Sequence, residues 1–220
     1  MGFSGILFDF NGTMVMDGEV NKNAWAALAL EAWNLRLTEK ALDRVIIGKN
    51  NLAIITEFAG RTLPKQESTA LSERKEEIYR ELSRQAQLQL MDGLTELLDE
   101  LAGRYPLNIA TSSIRSNIEF YFSHYGLDRW FDMKDVAYDD GETLAKPHPD
   151  MYLKAAASID ASPERCLVFE DSDTGVEAAI RAGVKHIIAI RKTGSLAQRP
   201  LQMKQVIPDY REFDRGILDR

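Results

Sequence analysis

Cysteine occurs once in these 220 residues, as Cys166. A single thiol closes no intramolecular disulfide, and without a Cys-x-x-Cys pair there is no cysteine-rich zinc site; this fits a reducing compartment. Histidine is also scarce. His124, His148 and His186 are scattered and compose no metal site. Long apolar runs are missing too. Gly5–Phe8 is too short for a signal peptide or a membrane span, and no basic segment precedes it. The Met1-Gly2 start lacks the hydroxyl residue at position 6 that myristoylation reads, where Ile6 stands. Basic residues are outnumbered, giving a net charge of −7. That balance argues against a general nucleic-acid surface but not against local phosphate chemistry. No repeat or low-complexity tract is visible. The expectation is a soluble, cytoplasmic protein with no membrane or nucleic-acid partner. Nothing compels an oligomer, so a monomer is expected.

What is present suits a folded globule: 45% hydrophobic and 28% charged residues. Four short apolar runs, Gly5–Asp9, Leu107–Thr111, Cys166–Glu170 and His186–Ile190, read as buried strands. Helical patterns stand between them at Gly93–Gly103, Ile114–Tyr125, Pro149–Ser158 and Thr174–Ala182. Val206-Ile207 before Pro208 reads as a last short strand. This alternation predicts an α/β fold, a Rossmann-like doubly wound parallel sheet. Between the first two strands no strand pattern occurs. Glu19–Trp33, Thr38–Ile46, Asn50–Phe58 and Gln66–Ala86 read instead as four helices. The spacing predicts an inserted four-helix cap over residues 17–86, with residues 1–16 and 87–220 forming the core.

In such sheets, ligands collect at the carboxyl ends of the strands. The first apolar run ends in Asp9-Phe10-Asn11-Gly12-Thr13, and the second in Thr111-Ser112-Ser113. A long loop carries Lys146-Pro147, and the Cys166 strand ends in Glu170-Asp171. Carboxylates from two strands can hold a hard cation such as Mg²⁺. A hydroxyl and a lysine can grip the remaining oxygens of a phosphoryl group, whose transfer depends on positioning and charge neutralisation.

Four such motifs in this order resemble the haloacid dehalogenase-like superfamily, in its helical-cap subgroup that includes phosphoglycolate phosphatase and β-phosphoglucomutase. The likeness spans nearly the whole chain. It implies a Mg²⁺-dependent phosphohydrolase acting on a small phosphorylated metabolite. Asp9 would be the nucleophile, forming an aspartyl-phosphate. Asp9, the backbone carbonyl of Asn11, and Asp171 would hold Mg²⁺, with Glu170 acting directly or through water. Thr111 and the Ser112 N–H would bind phosphate oxygens, and Lys146 would pair with Asp9 and the phosphoryl group. Gly12 would permit the tight turn there, and Thr13 would hydrogen-bond near the nucleophile. In the cap, the resemblance points to Lys49 and Asn50 in a specificity loop and to Lys75, in the register of a lysine that binds the substrate's far phosphate in β-phosphoglucomutase.

Two positions depart from that pattern. Asn11 stands where the family's phosphatases and mutases place the aspartate that protonates the leaving group and activates water. An amide shuttles no proton, and general acid–base catalysis is worth roughly 10²–10⁴ in rate. Slow turnover of substrates with poor leaving groups is expected, with Asp17 and Glu19 as weaker candidates for a relocated donor. Asn21 stands where β-phosphoglucomutase has a histidine, which argues against mutase activity. A phosphometabolite-binding pseudoenzyme is the main rival. C–P bond hydrolysis through an imine on Lys49 is a further one.

Blander readings stand beside these. Arg74-Lys75-Glu76-Glu77 alone reads equally as a solvated helix face. Cys166, Phe120-Tyr121-Phe122 and Trp130-Phe131 read as core, Met14 and Met16 as hinge packing, and Ser172 or Asp173 as a helix cap.

Overall fold

The structure is a computed structural model, and it describes residues 2–46, 50–191 and 200–219. In chain order its main elements are β1 (Gly5–Phe8), α1 (Gly18–Trp33), α2 (Glu39–Ile46), α3 (Asn51–Ala59), α4 (Lys65–Gln85) and α5 (Leu94–Leu101). They continue as β2 (Leu107–Ile114), α6 (Arg115–Tyr125), β3 (Ala137–Asp139), α7 (Asp150–Ala157), β4 (Cys166–Glu170), α8 (Asp173–Arg181), β5 (His186–Ile190) and β6 (Met203–Ile207). The chain divides into two compact units, one of Met1–Met16 with Gln89–Arg220 and one of Asp17–Leu88.

The first unit is an α/β domain. Its six described strands form one parallel sheet in the order β3-β2-β1-β4-β5-β6. The order runs outward from β1 in both directions, so the sheet is doubly wound and its switch point lies between β1 and β4. Both faces of β1 and β4 are covered, which is why they read as continuous apolar runs. Successive side chains alternate between the faces. Leu7 and Val168 join Tyr152, Ala155, Val176 and Ala179 of α7 and α8 in one buried cluster. Phe8 and Phe169 stack with ring centroids 4.9 Å apart, and Phe169 meets Phe213 edge-on at 5.2 Å. Truncating one such ring to alanine costs about 3–5 kcal/mol. Cys166 is buried in this core, and burial pushes its thiol up to about 11.

Two strands differ from expectation. β2 does not stop at Thr111; it runs to Ile114, with a register shift against β3 beyond Ala110. Ser112 and Ser113 are therefore strand residues, although their polarity reads as a turn. β3 was not foreseen, because three residues with only Ala137 buried leave no apolar run to find.

The second unit is helical, with α1 to α4 and no strand among its described residues. α1 ends on Asn34 in the left-handed conformation and α3 on Gly60, the usual way a helix closes its last carbonyls. Trp25, Leu28 and Ala29 of α1, Ile54, Ile55 and Phe58 of α3, and Ile78 of α4 supply buried apolar surface. None of the described helices is long and apolar enough to cross a membrane. Met14 is buried as expected of a packing residue, but Met16 is 46% exposed.

Candidate active site

β1 and β4 lie side by side in register, Phe8 opposite Phe169. The residues that follow each strand are therefore neighbours. Asp9 extends the ladder by one bond, donating its N–H to the Phe169 carbonyl at 3.0 Å. The chain then turns back: Met14 N–H reaches Phe10 O at 2.7 Å, and Gly12 N–H reaches Val15 O at 2.8 Å. Gly12 has φ +81°, and a Cβ there would stand 2.2 Å from Asp171 Oδ2. Only glycine combines that backbone with that approach.

Glu170, the last residue of β4, is buried and folds back over the start of α8. Its Oε1 accepts from the N–H groups of Asp171 and Ser172 at 3.1 and 3.0 Å and from Ser172 Oγ at 2.9 Å. Ser172 also accepts from Gly175 N–H, so it, not Asp173, caps α8. A Cβ at Gly175 would stand 2.0 Å from the Glu170 carboxylate.

Lys146 arrives from the loop after β3. That loop is tied down by Asp140, which accepts from the N–H groups of Glu142 and Thr143 and from the Thr143 hydroxyl at 2.7–3.0 Å. Lys146 Nζ donates to Asp9 Oδ1 at 2.6 Å, to Glu170 Oε2 at 2.8 Å and to the Ala110 carbonyl at 3.2 Å. Tyr152 of α7 also donates to Glu170 Oε2 and lies 3.3 Å from Lys146 Nζ.

One ammonium thus faces three carboxylates. Burial, then the Glu170 charge, pushes Asp9 up to about 7; burial, then Asp9, pushes Asp171 up to about 8. Burial works to raise Glu170 as well, but Lys146, Tyr152 and the Ser172 N–H outweigh it and hold Glu170 below its usual value. Burial disfavours the Lys146 charge, yet Asp9 and Glu170 carry it above the usual lysine range. Asp9, Glu170 and Asp171 each offer an oxygen within 4.8 Å of the others. All are hard donors and they carry excess negative charge, so the set fits a hard divalent cation.

Thr13 reaches Asp171 Oδ1 at 3.4 Å and also hydrogen-bonds Asp9. Thr111, Ser112 and Ser113 line the end of β2, with Ser112 exposed. Asn11 turns its side chain toward that end: Nδ2 donates to Tyr121 Oη at 3.0 Å, and Oδ1 accepts from Ser113 Oγ at 2.7 Å. No site role for Tyr121, Ser113 or Tyr152 is legible in the sequence. Tyr121 reads as core, Ser113 as turn and Tyr152 as part of a helix, and only the fold brings their hydroxyls to the site. His148 pairs with Asp150 at 2.9 Å, away from these contacts.

The residues assigned to the helical unit fare differently. Lys49 lies outside the described residues. Asn50 caps α3, accepting from Ala53 N–H at 2.9 Å, so its carbonyl oxygen has a structural task. The solvated-face reading of Arg74–Glu77 holds for Arg74 and Glu77, which pair with each other while Arg74 also pairs with Glu31, but not for Lys75 and Glu76. Lys75 and Glu76 are 4% and 6% exposed and pair at 3.0 Å. Lys75 Nζ also sits 5.2 Å from the Trp25 ring and 5.3 Å from that of Tyr79. Nor is Asp17 a surface carboxylate: it is buried and accepts from Tyr79 Oη at 2.6 Å.

Three acids gathered around one buried lysine would be a poor stability device, since desolvation outweighs much of the Coulombic gain. Perturbed carboxylates at the carboxyl edge of a doubly wound sheet mark a candidate enzyme site. Sequence comparison gives its family: the haloacid dehalogenase-like hydrolase profile matches residues 3–183, and the chain belongs to that family. Among curated relatives, protein CbbY of Rhodobacter capsulatus is 29% identical over 194 residues, covering 86% of each chain. Fructose-1-phosphate phosphatase YqaB of Escherichia coli K12 is 28% identical, over 83% of this chain and 94% of its own. A solved haloacid dehalogenase hydrolase of family IA, variant 3, from Entamoeba histolytica superposes with a TM-score of 0.90 at 28% identity, covering 98% of this chain and 97% of that one.

Proposed function

We propose that this protein is a Mg²⁺-dependent phosphohydrolase that works on a small phosphorylated metabolite through an aspartyl-phosphate. The observation that carries this reading is the Asp9–Lys146–Glu170 contact set beside Asp171. Asp9 supplies the attacking oxygen: its bond to phosphorus forms as the bond to the leaving oxygen breaks. Water then attacks the same phosphorus, the Asp9–phosphorus bond breaks, and inorganic phosphate leaves. Lys146 holds the Asp9 carboxylate in place and offsets charge on the phosphoryl oxygens. Thr111 and the Ser112 N–H bind those oxygens. Asp9, Asp171 and the Asn11 carbonyl would hold the cation, which when bound neutralises phosphoryl charge. Glu170 already takes five hydrogen bonds, which favours a link through water over direct ligation. The relatives named as sugar-phosphate phosphatases support a phosphorylated carbohydrate as the substrate class.

A panel of phosphorylated metabolites, assayed for phosphate release with Mg²⁺ and with chelator, tests this. Turnover that needs Mg²⁺ and disappears in Asp9→Asn is the expected result. Mg²⁺-dependent thermal stabilisation by a panel member, with no phosphate released on long incubation, would replace this reading with that of a binding protein.

A further inference from the structure

The Asn11 side chain closes a ring of hydrogen bonds. Its Nδ2 donates to Tyr121 Oη at 3.0 Å. Its Oδ1 accepts from Ser113 Oγ at 2.7 Å. Ser113 Oγ and Tyr121 Oη lie 3.1 Å apart. Ser113 has one hydroxyl hydrogen, and it goes to Asn11, so Tyr121 must donate to Ser113. The ring then runs in one direction: amide N–H to phenol, phenol to serine, serine to amide oxygen. Thr111 stands beside the ring. It accepts from Ser113 N–H at 3.2 Å, and its Oγ1 lies 3.5 Å from Asn11 Oδ1, a long contact that leaves its hydrogen available to a phosphoryl oxygen. Tyr121 itself is fixed, buried on α6 with its ring stacked 3.9 Å from that of Phe10.

We propose that Ser113 and Tyr121 are positioning residues matched to Asn11, which hold its amide against the end of β2, and that the site, with no proton donor at position 11, favours phosphate esters whose leaving group departs without a proton. This rests on Asp9 being the nucleophile. The donor and acceptor pattern is what makes the match. An amide offers one donor and one acceptor side, and the ring uses both. A carboxylate offers acceptors only. With Asn11→Asp, Tyr121 loses the N–H it accepted and turns its own hydrogen to the carboxylate, leaving its bond to Ser113 unmade. Donors on that carboxylate stabilise its ionised form and leave it a weaker source of the proton a leaving group needs. The matched hydroxyls thus oppose the simple repair of position 11.

The test compares hydrolysis of p-nitrophenyl phosphate and glycerol phosphate by the full chain with Mg²⁺. The proteins are the wild type, Tyr121→Phe, Asn11→Asp and the Asn11→Asp/Tyr121→Phe double variant. The aryl ester is expected to be hydrolysed faster by the wild type. Tyr121→Phe lowers turnover of the aryl ester several-fold in the wild-type background. In the Asn11→Asp background the same change raises glycerol phosphate turnover, by about tenfold, within the range for general acid catalysis. A fall in both backgrounds would show a merely structural tyrosine. A hundredfold gain from Asn11→Asp alone would show that the amide was never held. Both results overturn the proposal. If no variant, and no protein across the metabolite panel, releases phosphate, the hydrolase reading itself has failed. The ring is then judged by thermal unfolding of Asn11→Ala, Tyr121→Phe and the double variant. Non-additive losses of a few °C support the ring, and additive losses refute it.

Discussion

Single residues decide whether the site closes. Gly12 is the clearest case, because it takes a positive φ while its Cα faces the Asp171 carboxylate. Gly12→Ala is expected to cost about 1–3 kcal/mol from the backbone alone, and more from displacement of Asp171. Urea unfolding reads the stability loss, and a smaller Tm rise on adding Mg²⁺ reads the displaced carboxylate. Lys146 is the second case, the one cation among the described residues that pairs with Asp9 and Glu170. Lys146→Met should remove about 3–5 kcal/mol of stability at neutral pH, since it strands buried negative charge. It should also lower turnover by about 10²–10³, the usual cost of losing one electrostatic contact to a phosphoryl group. A Lys146→Met protein as stable and as active as the wild type would remove the lysine from the mechanism.

At the scale of elements, adjacency does most of the positioning. β1 and β4 pair in register, so Asp9 and the Glu170–Asp171 pair meet although some 160 residues separate them in the chain. The pairing rests on two apolar segments that must both be buried, with Gly5 of β1 leaving room for Ile159 and Ala161, which a Cβ there would meet at 2.9 Å. α4 shows a different principle. Its sequence is strongly polar, yet Lys75, Glu76, Tyr79 and Ser83 are buried. Lys75 and Glu76 pair there, Asn51 donates to Glu76 at 2.8 Å, and Tyr79 donates to Asp17. Lys75→Met is expected to destabilise the helical unit by about 3–5 kcal/mol, because Glu76 loses its buried counter-charge. Replacing Glu76 by Gln in the same protein should recover a large part of that loss. Thermal unfolding followed by circular dichroism measures both. A loss under about 1 kcal/mol would indicate that the pair behaves as an exposed one.

For the whole molecule, the carboxylate cluster is expected to couple stability to pH and, with the proposed cation, to metal. Asp9 and Asp171 start from 3.8 and are pushed up to about 7 and about 8 in the folded state. The folded protein therefore binds protons more tightly than the unfolded chain does. The stability this confers is complete below about pH 4 and is lost as pH rises through 7 to 8. Other groups set the absolute curve, but in chelator this contribution should make Tm fall between about pH 5.5 and 8.5. Mg²⁺ held by these carboxylates would compete with those protons, so its stabilising effect should grow over the same interval. A Tm rise of equal size at both pH values would mean that these carboxylates do not hold the metal.

The apolar runs at 5–9, 107–111, 166–170 and 186–190 and the polar motifs after the first three of them were legible in the sequence. Strand period and burial are local properties, and the motif residues must stand next to strand ends. The insertion of a helical segment was legible for the same reason, since some 70 residues without a strand pattern cannot serve as one crossover. What tertiary structure alone decided was orientation. Nothing local shows that Asn11 faces Ser113 and Tyr121, that Tyr152 donates to Glu170, or that Lys75 is buried against Trp25 and Tyr79. A hydroxyl or an ammonium carries no record in sequence of which distant partner will satisfy it. That partner is set when strands and helices from separate parts of the chain pack, and buried polar groups must then pair with whatever the packing brings near.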